Sequence, residues 1–128
     1  MKNYLAVGIG GVIGALLRYV ISVYLTKATA PFPLGTMFVN FVGSFTLGFF
    51  TARWIEKKLL PSYIRTGIGT GLIGSFTTFS TFSVEFVQLL QEGHIIYALL
   101  YSSFSLVGGL TLAFFGYEYG RKCVVMDK

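Results

Sequence analysis

Charged side chains are scarce in this sequence. Of its 128 residues only 12% are Asp, Glu, Lys or Arg, whereas a soluble domain carries about a quarter. There is one cysteine, Cys123, and one histidine, His94. A single cysteine excludes an internal disulfide framework, and no spacing typical of a metal-ligand set accompanies it. The shortage of charge argues against a water-soluble fold.

Apolar residues take the place of charge. They make up 54% of the chain, and the mean hydropathy is +0.71. A helix needs about 20 apolar residues to cross the hydrocarbon core, and backbone groups in lipid must be satisfied internally. The sequence therefore predicts a single all-α membrane domain of four transmembrane helices, at about residues 4–25, 34–52, 63–91 and 94–120.

Lysine and arginine are distributed unevenly over the two sides that four crossings create. Eight of the ten lie with the two termini and the second loop, and the other side has only Arg18 and Lys27. Cytoplasmic loops carry the excess of Lys and Arg, which predicts a cell-membrane protein with both termini in the cytoplasm. Since the basic residues flank apolar runs and form no stripe with aromatics, no nucleic-acid partner is expected.

The third apolar stretch contains an unusual polar run at residues 77–83, with five hydroxyl groups and the rings of Phe79 and Phe82. Hydroxyls can bond back to helix carbonyls and promote tight packing. Alternatively, the preceding glycines and these hydroxyls break the helix near 74–78, where unwound backbone lines a polar cavity. Freed carbonyls then suit a cation, and hydroxyls and positive ring edges suit an anion. No acid, base or nucleophile constellation is present, so an enzyme is not expected.

Isolated polar residues interrupt the other apolar stretches. Asn40 has two amide donors, for a neighbouring helix or for a ligand. Arg18 either snorkels to the interface or has a functional role. Glu85 is either a partner in a polar network or a pore-mouth residue. Tyr101 and Ser105, four residues apart on one helix face, either line a polar track or bond to a neighbouring helix.

Glycine pairs spaced four residues apart allow helices to approach closely. They occur at Gly10 and Gly14 in the first apolar stretch, and at Gly67 and Gly71 in the third. Because four helices enclose little, these glycine faces also suggest that a second subunit packs against this one.

Three motifs occur in order along the chain: Gly14-x-x-x-Arg18, then Gly35-Thr36-x-x-x-Asn40-x-x-Gly43, then Gly74-x-x-Thr77-Thr78-Phe79-Ser80-Thr81-Phe82-Ser83-x-Glu85. Together they resemble the motifs of the Fluc (CrcB) fluoride channel family, over nearly the whole chain. The resemblance implies an antiparallel dimer of four-helix subunits with two fluoride pores. It also implies a structural Na⁺ at the dimer interface, bound by the main-chain carbonyls of Gly74 and Thr77.

The same resemblance implies which residues form the pore. By motif position these are Asn40, Phe79, Phe82, Ser80, Thr81, Ser83, Tyr101 and Ser105. One position departs from the family: where the fourth-helix track often continues with a serine, this chain has Gly109. The missing hydroxyl puts that pore contact in question.

A passive channel is sufficient for fluoride export. Hydrogen fluoride enters as a neutral molecule and dissociates, and the inside-negative potential drives the anion outward. One alternative is a small multidrug exporter, but that family depends on a Glu in its first helix, where this chain has only Arg18. A second is a non-conducting membrane assembly subunit. The charge bias favours a heterodimer with a homologous subunit of opposite topology, and a homodimer stays possible.

Overall fold

The computed structural model describes residues 1–26, 32–56 and 59–126, and every regular element within them is helical. The predicted all-α class is thereby confirmed. Helix α1 is Lys2–Thr26, and α2 is Leu34–Phe50, continued by a π-helical turn at Thr51–Ile55. Helix α3 joins Ser62–Thr66, the π-helical Gly67–Ile73 and Gly74–Phe76; α4 is Ser80–Gln91 and α5 is Ile95–Met126.

Several of these helices are long and apolar enough to cross a membrane. Within the described ranges they are Lys2–Leu25, Leu34–Ile55 and Ile95–Cys123. The remaining apolar stretch is divided between α3 and α4, so neither part reaches that length alone. Large apolar side chains on α1 and α5 face outward, among them Leu16 (60% exposed) and Leu110 (65% exposed). Such surfaces suit lipid rather than water.

The third apolar stretch is interrupted at residues 77–79, at the end of the range 74–78 where the sequence predicts a break. Thr77 is extended, with φ −77° and ψ 157°, and α4 begins only at Ser80. The amide N–H of Thr78 donates to the side chain of Asn40 instead of the carbonyl of Gly74, as a continuing helix requires. A partner on α2 therefore stabilises the interruption.

Helix α1 packs along α3, and its glycines are the reason the two come close. A Cβ atom at Gly10 or Gly14 would overlap the main-chain oxygens of Gly67 and Leu72. Gly71 likewise lies against the backbone of Val7. The expectation that these glycine faces meet a second subunit is therefore wrong for these positions, because a helix of the same chain already covers them.

Helices α2 and α5 also pack at close range, and they run parallel. Gly108 lies against the ring of Phe41. Further along, a Cβ atom placed on Gly120 would lie 2.7 Å from the carbonyl oxygen of Phe49. The partners advance in the same direction on both helices, so α2 and α5 begin at the same end of the molecule. The buried cluster of Leu89, Ala98 and Tyr101 lies at this end.

Candidate functional site

A cavity of about 590 Å³ lies between α2, the interruption at 77–79 and α5. No charged side chain lines it among the residues the structure describes. Its walls are Asn40, Gly43, Ser44, Leu47, Gly74, Thr77, Thr78, Phe79, Phe82, Ser102, Ser105, Leu106 and Gly109. The structure thus brings Asn40, Phe79, Phe82 and Ser105 together, and adds Ser44, which the motifs do not single out.

Asn40 holds the interruption in place through two hydrogen bonds to one residue. Its Nδ2 donates to the carbonyl of Thr78 at 2.9 Å, and its Oδ1 accepts from the Thr78 amide N–H at 2.8 Å. The amide therefore replaces the helical partners that Thr78 lacks. Because Nδ2 carries two N–H groups, one donor remains after the contact with Thr78. Asn40 thus makes the interhelical bond and also retains a donor at the cavity wall.

Two phenylalanine rings form the side of the cavity next to the interruption. The centroids of Phe79 and Phe82 are 5.8 Å apart, and Phe82 lies 4.9 Å from the ring of Tyr101. Phe82 is half-buried, whereas Phe79 is 79% exposed on the isolated chain. Ring edges carry the positive end of the aromatic quadrupole, so this pair can present positive potential without a fixed charge.

The hydroxyls of Ser80, Thr81 and Ser83 do not line this cavity. The Thr78 hydroxyl contacts Ser80 Oγ at 3.2 Å and Thr81 Oγ1 at 3.1 Å. Ser83 Oγ donates to the carbonyl of Phe79 at 2.9 Å. The amide N–H of Thr81 donates to Thr78 Oγ1 at 3.2 Å, so the Thr78 hydroxyl satisfies one of the orphan N–H groups at the start of α4. In the isolated chain the hydroxyls of these three residues make their contacts around the start of α4.

Glu85 accepts two hydrogen bonds from hydroxyls that are fully buried. Thr36 Oγ1 donates to Glu85 Oε1 at 2.8 Å, and Tyr101 OH donates to Oε2 at 2.7 Å; both donor residues are 0% exposed. Of the two interpretations of Glu85, the structure shows the polar network, which connects α2, α4 and α5. Thr36 was not predicted as the partner of Glu85, although a hydroxyl group within an apolar stretch indicates a need for a polar partner.

Arg18 reaches from α1 to the interruption. Its Nη1 donates to the carbonyl of Thr77 at 3.4 Å, a long hydrogen bond. The Gly74 carbonyl has no backbone donor in the described part of the chain and accepts only the Thr77 hydroxyl, at 3.3 Å. Gly74 and Thr77 both line the cavity. Two carbonyl groups freed from helical bonding therefore belong to residues of the same cavity wall, and the Arg18 guanidinium contacts one of them.

Known proteins resemble this chain over most of its length. A family model described as CrcB-like protein, Camphor Resistance (CrcB), matches residues 5–117. A relative from Geobacillus kaustophilus named Fluoride-specific ion channel FluC 2 is 46% identical over 115 residues, 89% of each chain. A Bacillus cereus relative named Fluoride-specific ion channel FluC 1 is 47% identical over 118 residues, 91% of this chain and 86% of its own.

A further relative, Fluoride-specific ion channel FluC 2 of Listeria innocua, is 41% identical over 119 residues, covering 93% of this chain and 91% of its own. The matched region includes all three motifs and every residue that lines the cavity. The chain therefore belongs to the Fluc (CrcB) family.

Proposed function

We propose that this protein is a fluoride-selective channel through which cytoplasmic fluoride leaves the cell passively, lowering its toxicity. The observation that carries the proposal is the cavity beside the broken helix. It combines an amide donor on Asn40, the ring pair and the hydroxyl of Ser105, and no charged side chain of the described residues lines it. The names of the relatives, which are fluoride-specific ion channels, support the same function.

Neutral donors suit the conduction of a small, strongly hydrated anion. Such an ion must have its water replaced by closely placed groups, yet must leave again quickly. A lysine or arginine in the pathway would bind it too tightly, whereas N–H, O–H and ring-edge groups bind it moderately. Each elementary charge gains about 2.3 kcal/mol per 100 mV of potential. An inside-negative membrane therefore drives export without a pump.

The chain is a multi-pass membrane protein, and we infer four crossings for it. Helices α2 and α5 are parallel, so the chain between them has to return to the end where α2 began. The α3–α4 stretch, residues 62–91, supplies that return. The termini then lie on one side of the membrane, and the Lys and Arg bias assigns that side to the cytoplasm.

An antiparallel dimer explains features that one chain leaves incomplete. Phe79 is a large ring with 79% of its surface exposed, although it borders the cavity of a membrane-embedded break. A homologous subunit of opposite topology covers this ring and closes the cavity. Relatives numbered FluC 1 and FluC 2 support the existence of a second homologous chain, and the charge bias favours a heterodimer over a homodimer.

A structural Na⁺ between the subunits fits the carbonyls of Gly74 and Thr77. Both oxygens have lost their helical donors, and oxygen ligands are what hard cations prefer. Two oxygens from one chain do not fill the coordination shell of a cation, and the same two carbonyls of the partner subunit bring the number of protein ligands to four. The Nη1 atom of Arg18 lies 3.4 Å from the Thr77 oxygen, so its positive charge repels a cation bound there.

Sodium is expected to stabilise the assembled protein against heat. At a concentration about 100-fold above its Kd, a ligand that binds only the folded state adds about 2.7 kcal/mol. Melting in detergent is measured in NaCl and, at equal ionic strength, in choline chloride. The expected result is a higher Tm in NaCl. Equal melting in the two salts, at every concentration tested, would contradict a sodium site.

Vesicles loaded with fluoride and containing the protein with its partner are expected to release fluoride and retain chloride. The reason is that the cavity offers close donors and ring edges, whereas no charged side chain of the described residues lines it to attract larger anions. Release is followed with ion-selective electrodes after adding an ionophore that lets the counter-cation leave the vesicles. Chloride release at a comparable rate, or no fluoride release, would refute the proposed function.

The ring pair provides variants for this assay. Phe79→Leu and Phe82→Leu keep an apolar side chain but lose the ring edge, so each is expected to slow fluoride release by about tenfold. Phe104→Leu is the matched control, because Phe104 is 57% exposed on α5 and does not line the cavity. Parent-like release by both leucine variants would mean that the rings only pack.

A further inference from the structure

Two hydroxyl groups in the cavity have no hydrogen-bond partner within the described residues. Ser105 Oγ on α5 is buried and unpaired. Ser44 on α2 is half-buried and lines the same cavity, and its hydroxyl bonds to no group in the ranges that the structure describes. Leaving a buried hydroxyl unpaired costs about 1–3 kcal/mol. Ser105 therefore needs a partner that the described residues do not provide, and the Ser44 hydroxyl lines the same cavity.

Gly109 leaves the space next to the Ser44 hydroxyl free of a side chain. A Cβ atom placed on Gly109 would lie 3.8 Å from Ser44 Oγ, and no other group lies within 4 Å of it. A side chain at position 109 would therefore contact the Ser44 hydroxyl. With glycine there, α5 supplies no hydroxyl at this level and α2 supplies one in its place.

The position of Ser44 continues a line of donors on α2. Asn40 and Ser44 are four residues apart, so they lie on the same helix face. Ser105 and Gly109 have the same spacing on the parallel helix α5. Asn40 and Ser105 form one level of the cavity wall, and Ser44 with Gly109 form the next.

We propose that Ser44 is a fluoride-binding residue of the pathway, whose O–H donates to the ion one helical turn beyond Asn40. It takes the place of the hydroxyl that α5 lacks at Gly109. This inference rests on the proposed channel function and adds to it a residue on a different helix. Ser44 matters to conduction because it shortens the distance over which fluoride would otherwise have no donor.

Ser44→Ala is expected to slow fluoride release from vesicles by about tenfold, the effect of losing one hydrogen bond to a charged partner. Adding Gly109→Ser to this variant returns a hydroxyl to the same level of the cavity, and the 3.8 Å clearance leaves room for it. The double variant is expected to recover most of the parent rate. Ser44→Ala combined with Gly109→Ala adds bulk without a hydroxyl and is expected to stay slow.

Thr46→Val is the control on the same helix. Thr46 is exposed and its hydroxyl donates to the carbonyl of Val42 at 2.7 Å, away from the cavity, so this variant is expected to conduct like the parent. All variants are compared in the subunit assembly in which the parent conducts, and equal elution on size exclusion checks that they assemble.

The outcomes distinguish the channel function from the role of Ser44. A parent that releases no fluoride refutes the channel function, and with it the role of Ser44. A conducting parent with a parent-like Ser44→Ala refutes Ser44 alone. Equal rescue by serine and by alanine at position 109 also overturns the proposal, because it would show that volume and not the hydroxyl is what matters.

Discussion

Replacing Asn40 with leucine is expected to lower fluoride release by about a hundredfold or more. The variant removes both hydrogen bonds to Thr78 and leaves an N–H and a carbonyl unpaired beside the cavity. Each unpaired group costs about 1–3 kcal/mol, and every 1.4 kcal/mol is a factor of ten. The donor that remains for the ion is lost as well. Release is measured with the fluoride electrode described above.

Asn40→Asp tests whether the N–H donors of the amide, and not the volume of the side chain, are required. The aspartate keeps an acceptor for the Thr78 N–H but places its second oxygen against the Thr78 carbonyl, 2.9 Å from the present Nδ2. It is expected to be as inactive as the leucine variant although its volume is unchanged. Asn3→Leu is the control, since Asn3 is exposed and its amide makes only a 3.5 Å contact with Ser62. Conduction by Asn40→Leu at the parent rate would show that the amide neither holds the break nor binds the ion.

Expression of this chain alone is expected to give fluoride-sensitive cells little protection, whereas co-expression with a homologue of opposite charge bias restores growth. An antiparallel homodimer requires each copy to insert in either direction. Eight Lys and Arg on one side against two on the other favour a single direction. Reporters that are active on one side of the membrane, fused to the C-terminus, measure the orientation.

A variant with a smaller difference in Lys and Arg number between the two sides tests whether this difference sets the orientation. Arg121→Gln with Lys122→Gln removes two positive charges from the predicted cytoplasmic side, leaving six. The loss costs little stability, because the ion pair of Arg121 with Glu118 is exposed and such pairs contribute little. More copies are expected in the opposite orientation. Equal reporter signals on both sides for the parent, or full protection by the parent alone, would contradict the fixed orientation.

The sequence was sufficient for the class of the fold and for the region of the site. Long apolar stretches with few charges require helices, because unpaired backbone in lipid is too costly. The glycines and hydroxyls near residues 74–83 indicated where the third apolar stretch is interrupted. The structure has its interruption there, at Thr77 to Phe79. These properties follow from residue type and local spacing, which the sequence states directly.

The partners of the polar groups were decided only by tertiary structure. Asn40 meets Thr78 from 38 residues away and Thr36 meets Glu85 from 49, while the space next to the Ser44 hydroxyl is free of a side chain because residue 109 is a glycine. Periodicity places a residue on a helix face, but the rotation and register of the neighbouring helix select the group it meets. Close packing at the glycines sets that register, pairing α1 with α3 and α2 with α5. The sequence by itself therefore determined the helices and their polar residues, and tertiary packing determined which of those residues are paired and which face the cavity.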